Sequence, residues 1–132
     1  MRIEIDKERI FDKVRSEVFY RGETRKESPA ASKAQMSEDD RDVFEDLFEE
    51  AAAGVVGELM IWGYPVFNGA FEVCPPSSWP LITEELKRAI EVYMIHVIVN
   101  RWMYMLGIGA EDFSERDLRN IKVILTKREK PI

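Results

Sequence analysis

The sequence predicts an all-α fold: a single domain over residues 1–132 that resembles a four-helix bundle. Apolar residues recur at helical spacing in four separate segments. A residue that can cap a helix precedes each segment. A chain of 132 residues with a hydrophobic fraction of 45% can bury one core without covalent cross-links. The four capping residues are Asp6, Ser37, Thr83 and Ser114.

The first helix is predicted over about residues 7–21, because Ile10, Phe11, Val14 and Val18 share one face and Gly22 follows. Before it, residues 2–5 alternate polar and apolar side chains, which is typical of a short strand or an extended arm. After it, residues 23–36 are polar and lack periodicity. We expect a mobile loop there, either functional or disordered, because it is longer than most helix connections.

The second helix is predicted over about residues 38–62, with Ser37 and Asp40 in a capping box. Its first half has one apolar and one acidic face. Its second half contains Gly54 and Gly57, and each glycine disfavours a helix by about 1 kcal/mol relative to alanine. Close packing or a kink is expected at these glycines. The apolar face consists of Val43, Phe44, Leu47, Phe48 and Ala51, and the acidic face of Asp42, Glu45, Asp46 and Glu49.

Residues 63–80 interrupt the helical pattern with prolines and glycines, yet they are too apolar for a free linker. We expect a long ordered loop that packs over one end of the bundle through aromatic side chains. A short extended segment is expected within it at residues 70–74. The breaking residues are Pro65, Gly69, Pro75, Pro76 and Pro80, and the apolar ones are Tyr64, Val66, Phe67, Phe71 and Trp79.

The third helix is predicted over about residues 83–106, ending at Gly107 and Gly109. A fourth helix is predicted over about residues 114–128, with Pro131 beyond its end. Residues 121–126 are rich enough in β-branched side chains that a strand is the alternative for this last segment.

The apolar residues of the two long helices change face along their length. On the third helix, the side that begins with Glu84 and Lys87 continues as apolar residues, while His96 and Asn100 fall on the opposite side. A helix that is apolar on nearly every side must be covered nearly all round. The cover is either a second subunit or the proline-rich loop and last helix of the same chain.

The subunit alternative predicts an interface formed by apolar residues of both long helices, with basic residues of the last segment as peripheral charge contacts. Glu58 and Arg101 fall on apolar sides, so we expect them to form a buried polar pair, because a half-buried charge is costly unless it is paired. The interface residues are Ile95, Ile98, Trp102, Leu106, Val56 and Met60, and the peripheral ones are Lys127, Arg128 and Lys130.

Residues that could support catalysis or metal binding are few. Cys74 is the only cysteine and His96 the only histidine, which argues against a disulfide, a thiolate cluster and a zinc site with two histidines. His96 is expected to hydrogen-bond within the core, with Asn100 one turn away as a partner. We expect no catalytic residue, metal or cofactor. An enzyme using Glu58, His96, Asn100 and Arg101 is a further alternative, and it requires a pocket shared by those four residues.

The net charge of −6 argues against binding to nucleic acids or anionic membranes, which need a positive field. The most apolar run, residues 90–106, is shorter than the ~20 residues of a membrane span and contains charged residues. The first six residues lack the apolar core of a signal peptide, so a cytoplasmic protein is expected.

Residues 80–107, PLITEELKRAIEVYMIHVIVNRWMYMLG, run from a capped helix start into an apolar and aromatic second half, and a short basic segment follows. This order resembles the small helical head–tail connector (adaptor) proteins of tailed phages and prophages. The resemblance implies a ring of identical subunits below the portal, contacts with portal or tail proteins, and a location in the virion. The acidic second helix and the polar loop before it depart from the family pattern.

Taken together, the sequence predicts a non-enzymatic structural or assembly protein that forms a ring or another homo-oligomer. The alternative is an acidic protein-binding module, a regulator or inhibitor that acts as a monomer or dimer. Such a module would bind a basic partner, and its complex would weaken with salt.

Overall fold

Four α-helices and a small sheet make up the described part of this computed structural model, which covers residues 2–24, 35–60, 66–67, 69–72, 83–107 and 113–126. The prediction of an all-α, bundle-like domain is confirmed. The helices are α1 (Lys7–Thr24), α2 (Arg41–Leu59), α3 (Thr83–Met105) and α4 (Ser114–Thr126), and the strands are β1 (Arg2–Glu4), β2 (Val66–Phe67) and β3 (Ala70–Glu72). A 3-10 turn, Glu38–Asp40, leads into α2.

Side-chain oxygens cap the start of α1 and the start of the 3-10 turn that leads into α2. Asp6 Oδ1 accepts a hydrogen bond from the Arg9 backbone nitrogen at 3.2 Å, at the start of α1. Ser37 and Asp40 form a capping box, in which Asp40 Oδ2 accepts from the Ser37 backbone nitrogen at 2.8 Å. These oxygens satisfy backbone donors that have no partner within a first helical turn.

The loop predicted over residues 23–36 is described by the structure only at its two ends, residues 23–24 and 35–36. The α1 helix extends to Thr24. At the other end, Met36 is buried in the core, and its carbonyl oxygen accepts a hydrogen bond from Arg15 Nε at 3.1 Å. Residues 25–34 of the predicted loop lie outside the described residues.

The three strands form an antiparallel sheet in the order β1–β3–β2. Ile3 of β1 is opposite Phe71 of β3, and both side chains are buried. Gly69, between β2 and β3, has a φ of 73°, a left-handed conformation that glycine adopts without strain. Phe67 packs on Phe48 of α2 with 5.8 Å between ring centroids, so the sheet lies against the helices. The remainder of the predicted loop over residues 63–80 lies outside the described residues.

Helix α3 is the centre of the fold, in contact with α1, α2, α4 and β1. This position accounts for its apolar residues on nearly every side, because each side faces a different neighbour. The sequence left two possibilities for what covers these apolar sides, a second subunit or other elements of the same chain. Along most of α3, the structure shows elements of the same chain in contact with them. The fully buried α3 side chains are Leu86, Ile90, Met94, Ile98, Val99 and Met103.

Aromatic packing joins α1 to α2. Phe11 and Phe44 form an edge-to-face pair with centroids 4.7 Å apart. The Arg41 guanidinium covers the Phe11 ring at 3.9 Å and pairs with Glu8 at 2.7 Å and Glu38 at 3.0 Å. The hydrogen bond from Arg41 to Glu8 raises the pKa of Arg41 above its ordinary value.

Candidate functional site

A buried carboxylate and the single histidine meet between α3 and α4. Asp117, only 2% exposed, lies in the first turn of α4, where the helix dipole favours a negative charge. Its Oδ2 atom accepts a hydrogen bond from His96 Nδ1 of α3 at 2.6 Å. Arg116, mostly exposed, places a guanidinium nitrogen 3.6 Å from the other carboxylate oxygen. The imidazole is therefore oriented by a carboxylate that water scarcely reaches.

A second polar contact joins α1 to α3. Arg21 is buried in the last turn of α1, and its NH1 group donates a hydrogen bond to Asn100 Oδ1 at 2.9 Å. Its Nε atom donates to Glu17 Oε1, one turn earlier, at 3.1 Å. A charge-assisted bond of this kind compensates the arginine for its lost hydration.

Phe113, immediately before α4, lies among these groups. Its ring centroid is 5.4 Å from that of His96. The guanidinium carbons of Arg116 and Arg21 lie 4.4 Å and 5.8 Å from the Phe113 centroid. We call the whole set the polar cluster: Glu17, Arg21, His96, Asn100, Phe113, Arg116 and Asp117.

The structure corrects two predicted polar contacts. Arg101 does not form a buried pair with Glu58, because it is exposed and its NH2 group lies 3.2 Å from Glu50 Oε1. Arg101 therefore lies beside the turn of α2 that carries Glu50, which comes earlier in the helix than the turn that carries Glu58. The predicted hydrogen bond between His96 and Asn100 is not the one that forms. His96 bonds to Asp117 of α4, and Asn100 accepts a hydrogen bond from Arg21.

The polar cluster has one feature of a catalytic site, an imidazole held by a carboxylate. The residues of the enzyme alternative are not brought together, because Arg101 points to the surface beside Glu50. A groove of about 480 Å³ lies elsewhere, along α1. Within the described ranges, no group of three or more His, Cys, Asp or Glu side chains could hold a metal ion. The groove is lined by Asp12, Arg15, Ser16, Phe19, Gln35 and Met36.

The predicted interface residues divide into buried and exposed ones. Ile98 and Trp102 are not surface residues: Ile98 is fully buried and Trp102 is only 7% exposed, because α3 is the central helix. Ile95 and Val56 are half-buried and pack against the core. Met60 and Leu106 are exposed, as an interface requires. The peripheral contacts Lys127, Arg128 and Lys130 lie outside the described residues.

Exposed apolar side chains that the sequence reasoning missed adjoin Leu106. Tyr104 is 78% exposed, and Met105 is also exposed. We call Tyr104, Met105 and Leu106 the α3 end. No sequence pattern indicates that these side chains are exposed, because their exposure depends on where the neighbouring elements end.

No family model, curated protein or solved structure matches the chain. Among the helices that the structure describes, none combines the length and the apolar character that crossing a membrane requires.

Proposed function

We propose that this protein is a non-enzymatic structural protein that works by associating with copies of itself. The observation that carries the proposal is the exposure of the α3 end. Tyr104 and Met105 are the last two residues of α3, and Leu106 is the next residue along the chain. All three are exposed, although Trp102 and Met103 in the same turn are buried, so the exposed apolar group begins where the buried part of α3 ends. Large apolar side chains grouped in this way are typical of association surfaces.

The specific role we propose is that of a phage or prophage head–tail connector. Support comes from the helical domain and from the resemblance of residues 80–107 to that family. A ring joins one surface of each subunit to a different surface of the next. Contacts with portal or tail proteins would then use surfaces that remain outside the ring.

The polar cluster is consistent with a structural function. His96 bonds to Asp117 and Arg21 bonds to Asn100, so polar groups of three helices bond to one another. These bonds hold α1, α3 and α4 together at one level of the bundle. The proposal therefore assigns the cluster to folding.

The experiment is absolute mass in solution by light scattering over a wide concentration range. We expect species heavier than the 15.4 kDa monomer, and a lower average mass for Met105→Lys. The matched control is Val92→Lys, which places the same charge at another exposed apolar position of α3 and should leave the mass unchanged. A wild-type chain that stays monomeric at every concentration would contradict the proposal.

A second candidate, the acidic protein-binding module, is favoured by the exposed carboxylates of α2. Asp42, Asp46 and Glu49 are all exposed along its outer side. The test is a titration of the monomer with a lysine-rich peptide at several salt concentrations. Affinity that falls steeply with salt, in a chain that does not self-associate, would favour this function over assembly.

A further inference from the structure

We propose that the outward side of α2 in one copy packs in parallel against the outward side of α4 in a second copy. This inference rests on the proposed self-association and names two surfaces, in addition to the α3 end, that meet between copies. The α2 stripe consists of Asp46, Glu49, Ala53, Gly57 and Met60, and the α4 stripe consists of Arg116, Arg119 and Val123. Every one of these residues is exposed.

The α2 stripe is acidic in its first half and small or apolar in its second half. At Gly57, no contact within the described part of the chain requires a glycine. A Cβ atom added there would meet nothing within 4 Å, whereas one added at Gly54 would strike Tyr93. Glycine disfavours a helix, so a glycine without a packing reason inside the chain points to a neighbour that approaches the α2 backbone closely.

The α4 stripe has the opposite charge. Arg116 and Arg119 supply two guanidinium groups, and Val123, 58% exposed, follows one turn later. The other side of α4 packs against the core of the same chain, where Ile121, Ile124 and Leu125 are buried. Val123 is thus an apolar side chain on the outer side of a helix that is otherwise clearly two-sided.

The spacing of the two stripes matches. Arg119 precedes Val123 by four residues, as Glu49 precedes Ala53, which is a separation of about 6 Å along each helix. Arg116 and Asp46 each lie seven residues before the same apolar position, about 10.5 Å away. When Val123 lies over Ala53 in a parallel pair, both arginines therefore meet carboxylates. An antiparallel pair with the same apolar contact would place the arginines beside Gly57 and Met60 instead.

Contacts within the chain select the pair to test. Arg116 already lies over Phe113 and near Asp117. On α2, the neighbouring Glu50 pairs with Arg101. Arg119 and Glu49 have no ion pair within the part of the chain that the structure describes. These two charges are therefore available to a second copy. Because the two stripes differ, each copy would bind one neighbour through α2 and another through α4, which builds a ring or an open chain.

The experiment is a charge swap, read by sedimentation velocity over a concentration series. Arg119→Glu and Glu49→Lys should each weaken self-association about fivefold or more, because an attraction across the contact becomes a repulsion. The two substitutions combined should restore association to near the wild-type level. Lys13→Glu, an exposed reversal on α1 outside both stripes, should have no effect. Circular dichroism checks that each variant is folded.

A steric variant gives an independent reading. Gly57→Leu places bulk where the chain leaves open space, so it should block association while the monomer stays folded. If wild type associates and neither the charge swap nor Gly57→Leu alters it, the pairing of α2 with α4 is wrong and the assembly function stands. If wild type is monomeric throughout, the assembly function and this pairing fail together.

Discussion

Replacing Gly54 and Gly57 by alanine, one at a time, makes the same chemical change at two nearby positions of α2 with opposite expected signs. A Cβ atom at Gly57 meets open space. One at Gly54 falls against the Tyr93 hydroxyl of α3, with the ring carbon Cζ only 3.3 Å away. Tyr93 is 6% exposed, so the core restricts how far its ring can move aside.

The magnitudes follow from two terms. Alanine favours a helix over glycine by about 1 kcal/mol, so Gly57→Ala should raise the free energy of unfolding by that amount. Gly54→Ala has the same gain, but overpacking a core costs about 1–3 kcal/mol. Its net effect is therefore a loss of up to about 2 kcal/mol, and the two variants should differ by about 1–3 kcal/mol.

Urea unfolding of dilute protein, where the monomer dominates, measures both free energies. The reasoning about Gly54 is tested further by repeating Gly54→Ala in a Tyr93→Phe background, which removes the hydroxyl and keeps the ring. The cost of the added methyl should shrink there, as a coupling in the double-mutant cycle. Equal stabilisation by the two alanines would refute the close approach of α2 to Tyr93.

Two further changes separate core residues from surface ones. Trp102→Ala should lower the free energy of unfolding by about 3–5 kcal/mol, measured in urea, because the indole is buried; a loss of association without a loss of stability would place Trp102 at an interface instead. Asp117→Asn should cost about 1–3 kcal/mol, because His96 loses a charged acceptor in a buried place. Glu50→Gln, which weakens the exposed pair with Arg101, should change stability by less than about 1 kcal/mol, and equal costs for the two substitutions would contradict the assignment of burial.

The helices were predictable because their signals are local. Asp6 and the Ser37–Asp40 box act on backbone groups within a few residues, and the structure shows the bonds that the sequence implied. The central position of α3 was also predictable in outline, since a helix with apolar residues on nearly every side needs cover on every side. The elements that cover α3 were not predictable, because their identity depends on how all four helices pack.

The polar contacts were not predictable for the same reason. Helical phase places Arg101 on a side of its own helix, but the partner depends on which turn of α2 lies beside it, and that turn carries Glu50. No sequence pattern distinguishes Arg21, because it follows the periodic apolar positions of α1, where basic residues usually interact favourably with the helix dipole. Asp117 lies in the first turn of α4, where acidic residues are common because of the helix dipole, so its contact with His96 across the fold has no local signal.

The polar cluster has a consequence for how α3 is held. A helix with apolar residues all round gains little from one rotation about its axis over another, since each orientation buries similar side chains. Hydrogen bonds are directional, and Arg21 of α1 and Asp117 of α4 each form one with a side chain of α3. We infer that they select one rotation. Replacing both partners, by His96→Phe with Asp117→Leu, should then leave the free energy of unfolding within about 2 kcal/mol of wild type, since replacing both partners of a buried hydrogen bond by apolar groups is often nearly neutral. Its NMR spectrum should nevertheless broaden, as several packings of α3 exchange. A spectrum as sharp as that of the wild type would show that the shape of the apolar core alone fixes the rotation.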